Sequence, residues 1–202
     1  VTVRRGAHHA DYDREAMMRI LREGHVAHVG VATDDGPLVL PMAYGITGDT
    51  MYLHGALANA MLREGAGTEV CVTVTIVDGL VFAKTPFNHS MNYRCVVVRG
   101  GARAVTDDNE KLEALRIITD HVAANWSDQR PANASELRAT RVVALPLAEM
   151  SAKTGEGMPT NDDIDAGAPH WSGIVPLESR WGTPLTAPDS GAPVPEGIAG
   201  LG

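Results

Sequence analysis

The sequence predicts a mainly β fold, in which antiparallel strands form a small β-barrel with peripheral helices. Segments rich in valine, isoleucine and threonine recur as far as Met150, and turn pairs such as Asp35-Gly36, Gly48-Asp49 and Asp78-Gly79 separate them. Only a few stretches have the helical period of apolar residues. Many hairpin-linked strands with few helices are typical of a closed antiparallel barrel.

The N-terminal half is predicted to contain two helices among its strands. Residues 1–12 have no periodicity and form an N-terminal arm. Met17, Ile20 and Leu21 then fall on one helical face, and Gly24 ends that helix. The predicted elements are a helix from Asp13 to Gly24, hairpin strands at His25–Thr33 and Pro37–Ile46, a strand at Met51–His54, and a short helix at Leu57–Glu64.

The second half is predicted to continue with strands and two capped helices. Val70–Val77 alternates apolar and polar residues, as expected of a strand with one buried face. Asp107 and Glu110 form a capping-box pattern ahead of one helix, and Asn133 and Glu136 repeat it ahead of a shorter one. The remaining predicted strands are Leu80–Lys84, Met91–Val105 and Arg141–Met150, the last with an edge position or a bend at Pro146.

Composition indicates one domain. A chain of 202 residues with 44% hydrophobic content can bury a single core. We assign residues 1–178 to that domain, of which 151–178 form an irregular C-terminal flap, and residues 179–202 to a flexible tail. The net charge of -8 argues against nucleic-acid binding. No apolar run is long enough to span a bilayer and no signal-peptide pattern is present, which predicts no membrane partner and a cytoplasmic location.

The segment His89–Val98 carries the clearest sign of a binding site. It begins with polar side chains and continues as a run of valines, so the first half of a predicted strand is polar on both faces. Ser90, Asn92 and Arg94 would share one face, with Tyr93 on the other. So many hydrogen-bonding groups beside an apolar strand predict a bound anion or heterocycle. The alternative is that Asn92 and Arg94 are merely solvated.

A second anion site is predicted where Leu53-His54-Gly55-Ala56 leads from a strand into a short helix. Backbone N–H groups at the start of a helix attract a phosphate, and Gly55 permits its close approach. Asn59 and Arg63 lie on the helix that follows. The alternative is that Gly55 serves the turn and that His54 packs in the core.

No metal site is predicted. His25 and His28 are three residues apart, a spacing that places two strand residues on opposite faces. The acidic run at Asp162, Asp163 and Asp165 lacks the glycine and the closing glutamate of a calcium loop. The sequence also lacks the motifs of nucleophile-elbow hydrolases, Walker-type nucleotidases and thioredoxin-like proteins.

Five sequence blocks point to a known family when they are taken in order. The blocks are Gly-Asp-x-Met-Tyr-Leu-His-Gly-Ala (48–56), Asp-Gly-Leu-Val-Phe-Ala-Lys (78–84), His-Ser-Met-Asn-Tyr-Arg (89–94), Asp-x-Glu-Lys (108–111) and Ser-Ala-Lys (151–153). Together they resemble the flavin-nucleotide-binding branch of the pyridoxamine 5′-phosphate oxidase-like split-barrel family, to which the nitroimidazole-resistance proteins belong. The resemblance runs from about Arg4 to Leu177, which is nearly the whole chain.

The resemblance implies an FMN-binding split barrel of antiparallel Greek-key type, and a homodimer that holds FMN in two interface clefts. It also implies oxidation or reduction of a small planar or aromatic substrate, with His54 as the catalytic or substrate-contacting residue. Strand Val39–Tyr44 would lie along the isoalloxazine edge, and the flap would cover the pocket. The implied cofactor-binding residues are Pro41, Met42, Ala43, Tyr44, His54, Gly55, Asn59, Ala60, Arg63, Ser90, Asn92, Tyr93, Arg94, Lys153 and Trp171.

Departures from the family pattern leave two alternatives open. Cys95 replaces the usual serine after Asn-Tyr-Arg, and Thr154-Gly155 stands where relatives often carry Val-Arg. One alternative is a deazaflavin-dependent reductase of the same fold, although the anionic tail of that coenzyme favours a basic groove. The other is a non-catalytic protein that binds a flavin, a haem or another ligand.

Overall fold

The computed structural model of the protein describes residues 10–11, 13–56 and 69–201. Most of the predicted arm and the predicted helix Leu57–Glu64, with Asn59, Ala60 and Arg63, lie outside the described residues. The elements are β1 (Ala10–Asp11), α1 (Arg14–Glu23), β2 (Ala27–Thr33), β3 (Gly36–Met42), β4 (Tyr44–Thr47), β5 (Thr50–Ala56), β6 (Glu69–Phe82), β7 (Ser90–Gly101), β8 (Arg103–Ala104), α2 (Asp108–Val122), α3 (Ala134–Ala139), β9 (Thr140–Pro146), β10 (Glu149–Gly155), β11 (Gly173–Pro176) and α4 (Glu196–Ala199).

Among the described residues, seven strands form a larger antiparallel sheet and four strands form a smaller one. The larger sheet has the order β1-β10-β7-β6-β2-β3, and β11 pairs with the end of β6. The smaller sheet has the order β4-β5-β9-β8. The predicted mainly β architecture with antiparallel strands is therefore confirmed. The long strands β6 and β7 lie side by side at the centre of the larger sheet.

The helices begin where their capping residues predict. The Asp13 carboxylate accepts a hydrogen bond from the N–H of Ala16 at the start of α1, and Asp107 accepts one from the N–H of Glu110 at the start of α2. Asn133 and Glu136 form the complete reciprocal capping box of α3. The capping patterns predicted at Asp107 and Asn133 therefore located the starts of α2 and α3, and the predicted start of α1 at Asp13 is its N-cap.

The main hydrophobic core lies between α1, the inner face of the larger sheet and one face of the smaller sheet. Alternate residues of β6 and β7 point into it, as the alternation of Val70–Val77 predicts. The buried apolar face of α1 covers one side of this core, as predicted. The principal contributors are Met17, Ile20, Leu21, Met51, Leu53, Val72, Val74, Val96, Val98 and Leu145.

The smaller sheet is buried on both faces. Its second face packs against α2 in a separate cluster that contains Tyr52, Val142, Ala144, Ala114 and Ile118. The helix approaches β4 so closely that a Cβ added at Gly45 would lie 2.7 Å from backbone atoms of Ile117 and Ile118. Only glycine leaves room for the helix at this point.

The predicted turn at Asp78-Gly79 is wrong, because β6 continues through it. The register between β6 and β7 shifts at Asp78, which is the signature of a β-bulge. Gly79 then faces β11, where an added Cβ would lie 2.9 Å from the carbonyl oxygen of Val175. An Asp-Gly pair suits a bulge as well as a turn, so the local sequence does not distinguish the two.

Three long predicted strands are each divided between the two sheets. Pro37–Ile46 breaks at Ala43, Met91–Val105 breaks at Ala102, and Arg141–Met150 breaks just after Pro146. The bend predicted at Pro146 is confirmed. The other breaks were missed because both sheets bury apolar residues, so the hydrophobic pattern continues across each crossing.

A three-residue ion-pair cluster joins α1 to the bulge and to β7. Arg94 donates to both carboxylate oxygens of Asp78, at 2.9 and 2.7 Å, and also to the carboxylate of Glu23 at the end of α1. The hydrogen bonds from Arg94 are the largest cause of the lowered pKa of Glu23. The cluster links three elements that are far apart in the sequence.

The predicted flap and tail both contact the sheets. The flap begins inside β10, which extends to Gly155, and it returns as β11 on the edge of β6. In the tail, the Trp181 ring lies 5.3 Å from the His25 ring. The flexibility of the tail stays a prediction. No helix within the described ranges is both long enough and apolar enough to cross a bilayer.

Gly45→Ala is expected to lower the free energy of unfolding by about 1–3 kcal/mol, because the added methyl group overlaps helix backbone that cannot rotate away. Urea denaturation measures the change. Gly167→Ala is the matched control, since an added Cβ there meets no atom within 4 Å. Unchanged stability of Gly45→Ala would mean that α2 does not pack this closely on β4.

Glu23→Gln is expected to weaken the acid dependence of stability. Because the folded pKa of Glu23 lies below its ordinary value of 4.5, its ion pair stabilises the fold above that value, and the contribution is lost as the pH falls further. The Glu23 side chain is half exposed, so we expect a loss of no more than about 1 kcal/mol at neutral pH.

Thermal melts of wild type and Glu23→Gln from about pH 5 down to about pH 3 measure this effect. Glu178→Gln, which changes an exposed carboxylate at the end of the flap, is the control. The wild type should lose more stability than Glu23→Gln over this range. Parallel losses in the two proteins would exclude a stabilising role for the pair.

Candidate functional site

A polar cavity of about 380 Å³ lies between β7, β10 and the flap. Ser90, Asn92 and Tyr93 line it from β7, and Lys153 lines it from β10. Residues 155–160 of the flap form the opposite wall. The structure thus brings four of the predicted cofactor-binding residues together. We call this space the β7–β10 cavity.

The flap is fixed at this cavity by hydrogen bonds from Lys84. Its ammonium group donates to the carbonyl oxygens of Asp165 and Ala166, at 3.0 and 2.7 Å, and its backbone N–H donates to Asn161 Oδ1 at 2.7 Å. Asn88 donates to the carboxylate of Asp162 at 3.0 Å. The acidic run therefore helps to hold the flap. In the described part of the chain, no group of three or more His, Cys, Asp or Glu side chains is placed to bind a metal ion.

Arg94 is directed away from the β7–β10 cavity. Its guanidinium is paired with Asp78 and Glu23, and hydrogen bonds to these carboxylates raise the pKa of Arg94. Two negative charges therefore already compensate its positive charge. In this arrangement Arg94 stabilises the fold, and its predicted contact with a bound anion stays a prediction.

The predicted residues at the β3–β4 junction alternate between core and surface. Met42 and Tyr44 are buried, whereas Pro41 is exposed and Ala43 is half-buried. The Tyr44 hydroxyl lies 2.7 Å from the carbonyl oxygen of Leu21, to which it donates, and burial raises the pKa of Tyr44. The Met42 and Tyr44 side chains are thus core residues. Only the backbone of this junction, Pro41 and Ala43 remain open to a ligand.

His54 and Gly55 lie half-buried on β5, opposite Val142 and Arg141 of β9. Burial lowers the pKa of His54 below its ordinary value of 6.5, so the imidazole is neutral at neutral pH. A neutral imidazole has one donor and one acceptor nitrogen, which suits contact with a heterocycle. The Trp171 ring of the flap is exposed and lies 5.9 Å from the Phe82 ring.

Apart from Arg94 and Trp171, the predicted flavin contacts that the structure describes fall into two groups. One group lines the β7–β10 cavity, and the other lies on β3, β4 and β5 and at the β3–β4 junction. Strands β7 and β3 are three places apart in the larger sheet, a lateral spacing of about 14 Å. Among the described residues, those that line the β7–β10 cavity include none of the second group.

A larger and more apolar cavity of about 600 Å³ lies between the outer face of β2 and β6 and the tail. His25 and His28 both line it, together with Arg180 and Trp181. The strand predicted to begin at His25 begins at Ala27, so strand alternation does not extend to His25. We call this space the histidine cavity.

Some residues that line these two cavities could not be predicted from the sequence. The walls that residues 155–160 and the tail contribute depend on how the C-terminal segments return to the sheet. Those segments have neither strand alternation nor helical periodicity. Two large aromatic residues in these segments, Trp171 and Trp181, do predict packing against the rest of the fold.

Two solved structures match nearly the whole chain. The flavocytochrome Anf3 from Azotobacter vinelandii is 34% identical, with a TM-score of 0.93 over 98% of this chain and 94% of that chain. The FAD and haem binding protein from Mycobacterium smegmatis is 33% identical, with a TM-score of 0.90 over 96% of this chain and 97% of that chain.

A candidate 5-nitroimidazole antibiotic resistance protein from Bacteroides thetaiotaomicron matches less closely. It is 27% identical, with a TM-score of 0.59 over 71% of this chain and 85% of that chain. A comparison with curated proteins found no match. Residues 13–154, well over half of the sequence, match the family model described as pyridoxamine 5′-phosphate oxidase. The chain therefore belongs to the pyridoxamine 5′-phosphate oxidase family.

Proposed function

We propose that this protein is a redox protein that binds both a flavin and a haem, and that the flavin is FAD. The observation that carries the proposal is the match of nearly the whole chain, at 34% and 33% identity, to a flavocytochrome and to an FAD and haem binding protein. Similarity over this length includes the flap and the tail, which border the two cavities.

The β7–β10 cavity suits an anionic, heterocyclic ligand such as a flavin nucleotide. Lys153 supplies a positive charge for a phosphate, and Ser90 and Asn92 supply neutral hydrogen-bonding groups. Two carboxylates, Glu156 and Asp162, also line the cavity, and that of Asp162 accepts a hydrogen bond from Asn88, so the phosphate would lie on the Lys153 side. Tyr93 supplies an aromatic ring. A bound flavin supplies hydride and single-electron transfer, while the protein binds and orients it and tunes its potential.

A homodimer would complete the flavin site. Strands β7 and β3 are three places apart in one protomer, a lateral spacing of about 14 Å, and a second copy would place residues near β3 beside the cavity. The outer face of the larger sheet offers a surface for this contact. Val39, on the end strand β3, is 58% exposed on that face and offers apolar surface to a second copy.

A second candidate function is an FMN-dependent oxidoreductase that acts on a small planar or aromatic substrate. The similarity to the candidate nitroimidazole resistance protein and the neutral, half-buried His54 favour it. In that function His54 would contact the substrate. Reduction of the bound flavin by NADH or NADPH, followed by reoxidation with a nitroaromatic compound, would favour this function over a non-catalytic binding protein.

Freshly purified protein is expected to contain FAD and haem. The absorption spectrum should show flavin bands and a haem Soret band, and chromatography of the heat-released flavin should identify FAD. A matched mock purification from cells without the expression plasmid is the control.

FMN as the only bound group would favour the second candidate, and preferential binding of a deazaflavin would favour the reductase alternative. A protein that binds neither added flavin nor added haem would contradict the proposal.

Lys153→Met is expected to weaken flavin binding at least about tenfold, because it removes a charge-assisted contact with the phosphate while retaining the length of the side chain. Quenching of flavin fluorescence by the apoprotein measures the affinity. Arg19→Met, which removes a positive charge from the exposed face of α1, is the matched control for net charge. Equal affinity in Lys153→Met and Arg19→Met would exclude Lys153 from the site.

A further inference from the structure

We infer that the histidine cavity binds the haem, with the imidazole of His28 as the iron ligand. The inference rests on the proposed function, because it places the haem part of that function at named residues. The β7–β10 cavity and the histidine cavity have no lining residue in common, so the two groups would bind side by side on the larger sheet.

The histidine cavity has the size and the polarity of a site for a large apolar cofactor. Its volume of about 600 Å³ lies within the range of about 300–1,000 Å³ that is usual for cofactor sites. One wall is the outer face of β2 and β6, and the other is the start of the tail. The apolar residues that line it are Val26, Ile76, Val77, Leu177 and Trp181, of which Ile76 also packs against the core.

The donor set of this cavity suits haem iron. Imidazole is the most common protein ligand of haem, and His25 and His28 are the imidazoles of this cavity. The third histidine nearby, His121, uses its Nε2 in a 2.8 Å hydrogen bond to the carbonyl oxygen of Gly24 and does not line the cavity. The choice therefore lies between His25 and His28.

His28 is the better placed of the two. It lies within β2, where it is paired with Pro41 of β3 on one side and Thr73 of β6 on the other, so its backbone is fixed by two neighbours. Neighbouring residues of β2 alternate, and buried Ala27 and Val29 direct the side chain of His28 outward. His25 precedes the strand, and its ring contacts Trp181. We therefore assign His25 to the wall of the histidine cavity and not to the iron.

The charges around the cavity suit the propionate groups of a haem. Arg180 lines the side formed by the tail and offers a guanidinium for a carboxylate. Glu23 also lines the cavity, but its carboxylate is paired with Arg94. Arg94 also pairs with Asp78, so these three side chains together keep one net negative charge, and Arg180 is the cation that lines the cavity from the tail.

Haemin titration of the full-length apoprotein, followed by the Soret band, tests the assignment. We expect His28→Ala to weaken haemin binding at least about tenfold and to shift the Soret band, because the iron loses its protein ligand. Added imidazole should restore the wild-type Soret position in His28→Ala. His170→Ala, which removes an exposed histidine of the flap, is the matched control and should bind haemin as the wild type does.

The outcomes separate this inference from the proposed function. If wild type binds no haemin at all, the proposed function fails. If wild type binds haemin and His28→Ala retains both the affinity and the Soret position, only the assignment to His28 fails. Loss of the spectrum in His25→Ala or His54→Ala, with a normal His28→Ala, would likewise overturn it. Circular dichroism of each variant verifies that it is folded.

Discussion

The pairing of β6 with β7 is the constraint on which the rest of the structure depends. These strands run antiparallel for most of their length, and successive residues point to opposite faces. One face carries Val72, Val74, Val96 and Val98 into the core. Because the core occupies that face, the polar residues of the same strands must lie on the outside or at the strand ends, where both cavities form. The core thus occupies one face of this ladder, and the candidate sites lie on its other face and at its ends.

Elements that depend on patterns among neighbouring residues could be predicted from the sequence. The valine alternation, the apolar face of α1 and the capping residues each depend on neighbours in the chain, so they were predicted. The bulge at Asp78 and the crossing at Ala102 were not predicted, because both depend on contacts with residues that are far away in the sequence. The bulge brings Asp78 to Arg94 and leaves space for β11 at Gly79. None of these contacts produces a periodic pattern of residues in the sequence.

In the candidate sites, too, the residues with local patterns were predicted and those that depend on distant contacts were not. The polar start of β7 and the family resemblance together indicated Ser90, Asn92, Tyr93 and Lys153, which line one cavity. Arg94 belongs to the same strand segment, yet it forms ion pairs with two carboxylates, those of Asp78 and Glu23. No local sequence pattern predicts either pair. The histidine cavity was missed because its second wall comes from the tail.

If the outer face of β2 and β6 binds the haem, the iron must lie on that face, and its position can be measured. Anomalous scattering at the iron absorption edge, from crystals of the haem-loaded protein, locates the metal independently of any model of the ligand. The account predicts one iron per chain within bonding distance of the His28 imidazole, between β2 and the tail. An iron beside His54, or on the side of the smaller sheet that faces α2, would contradict it.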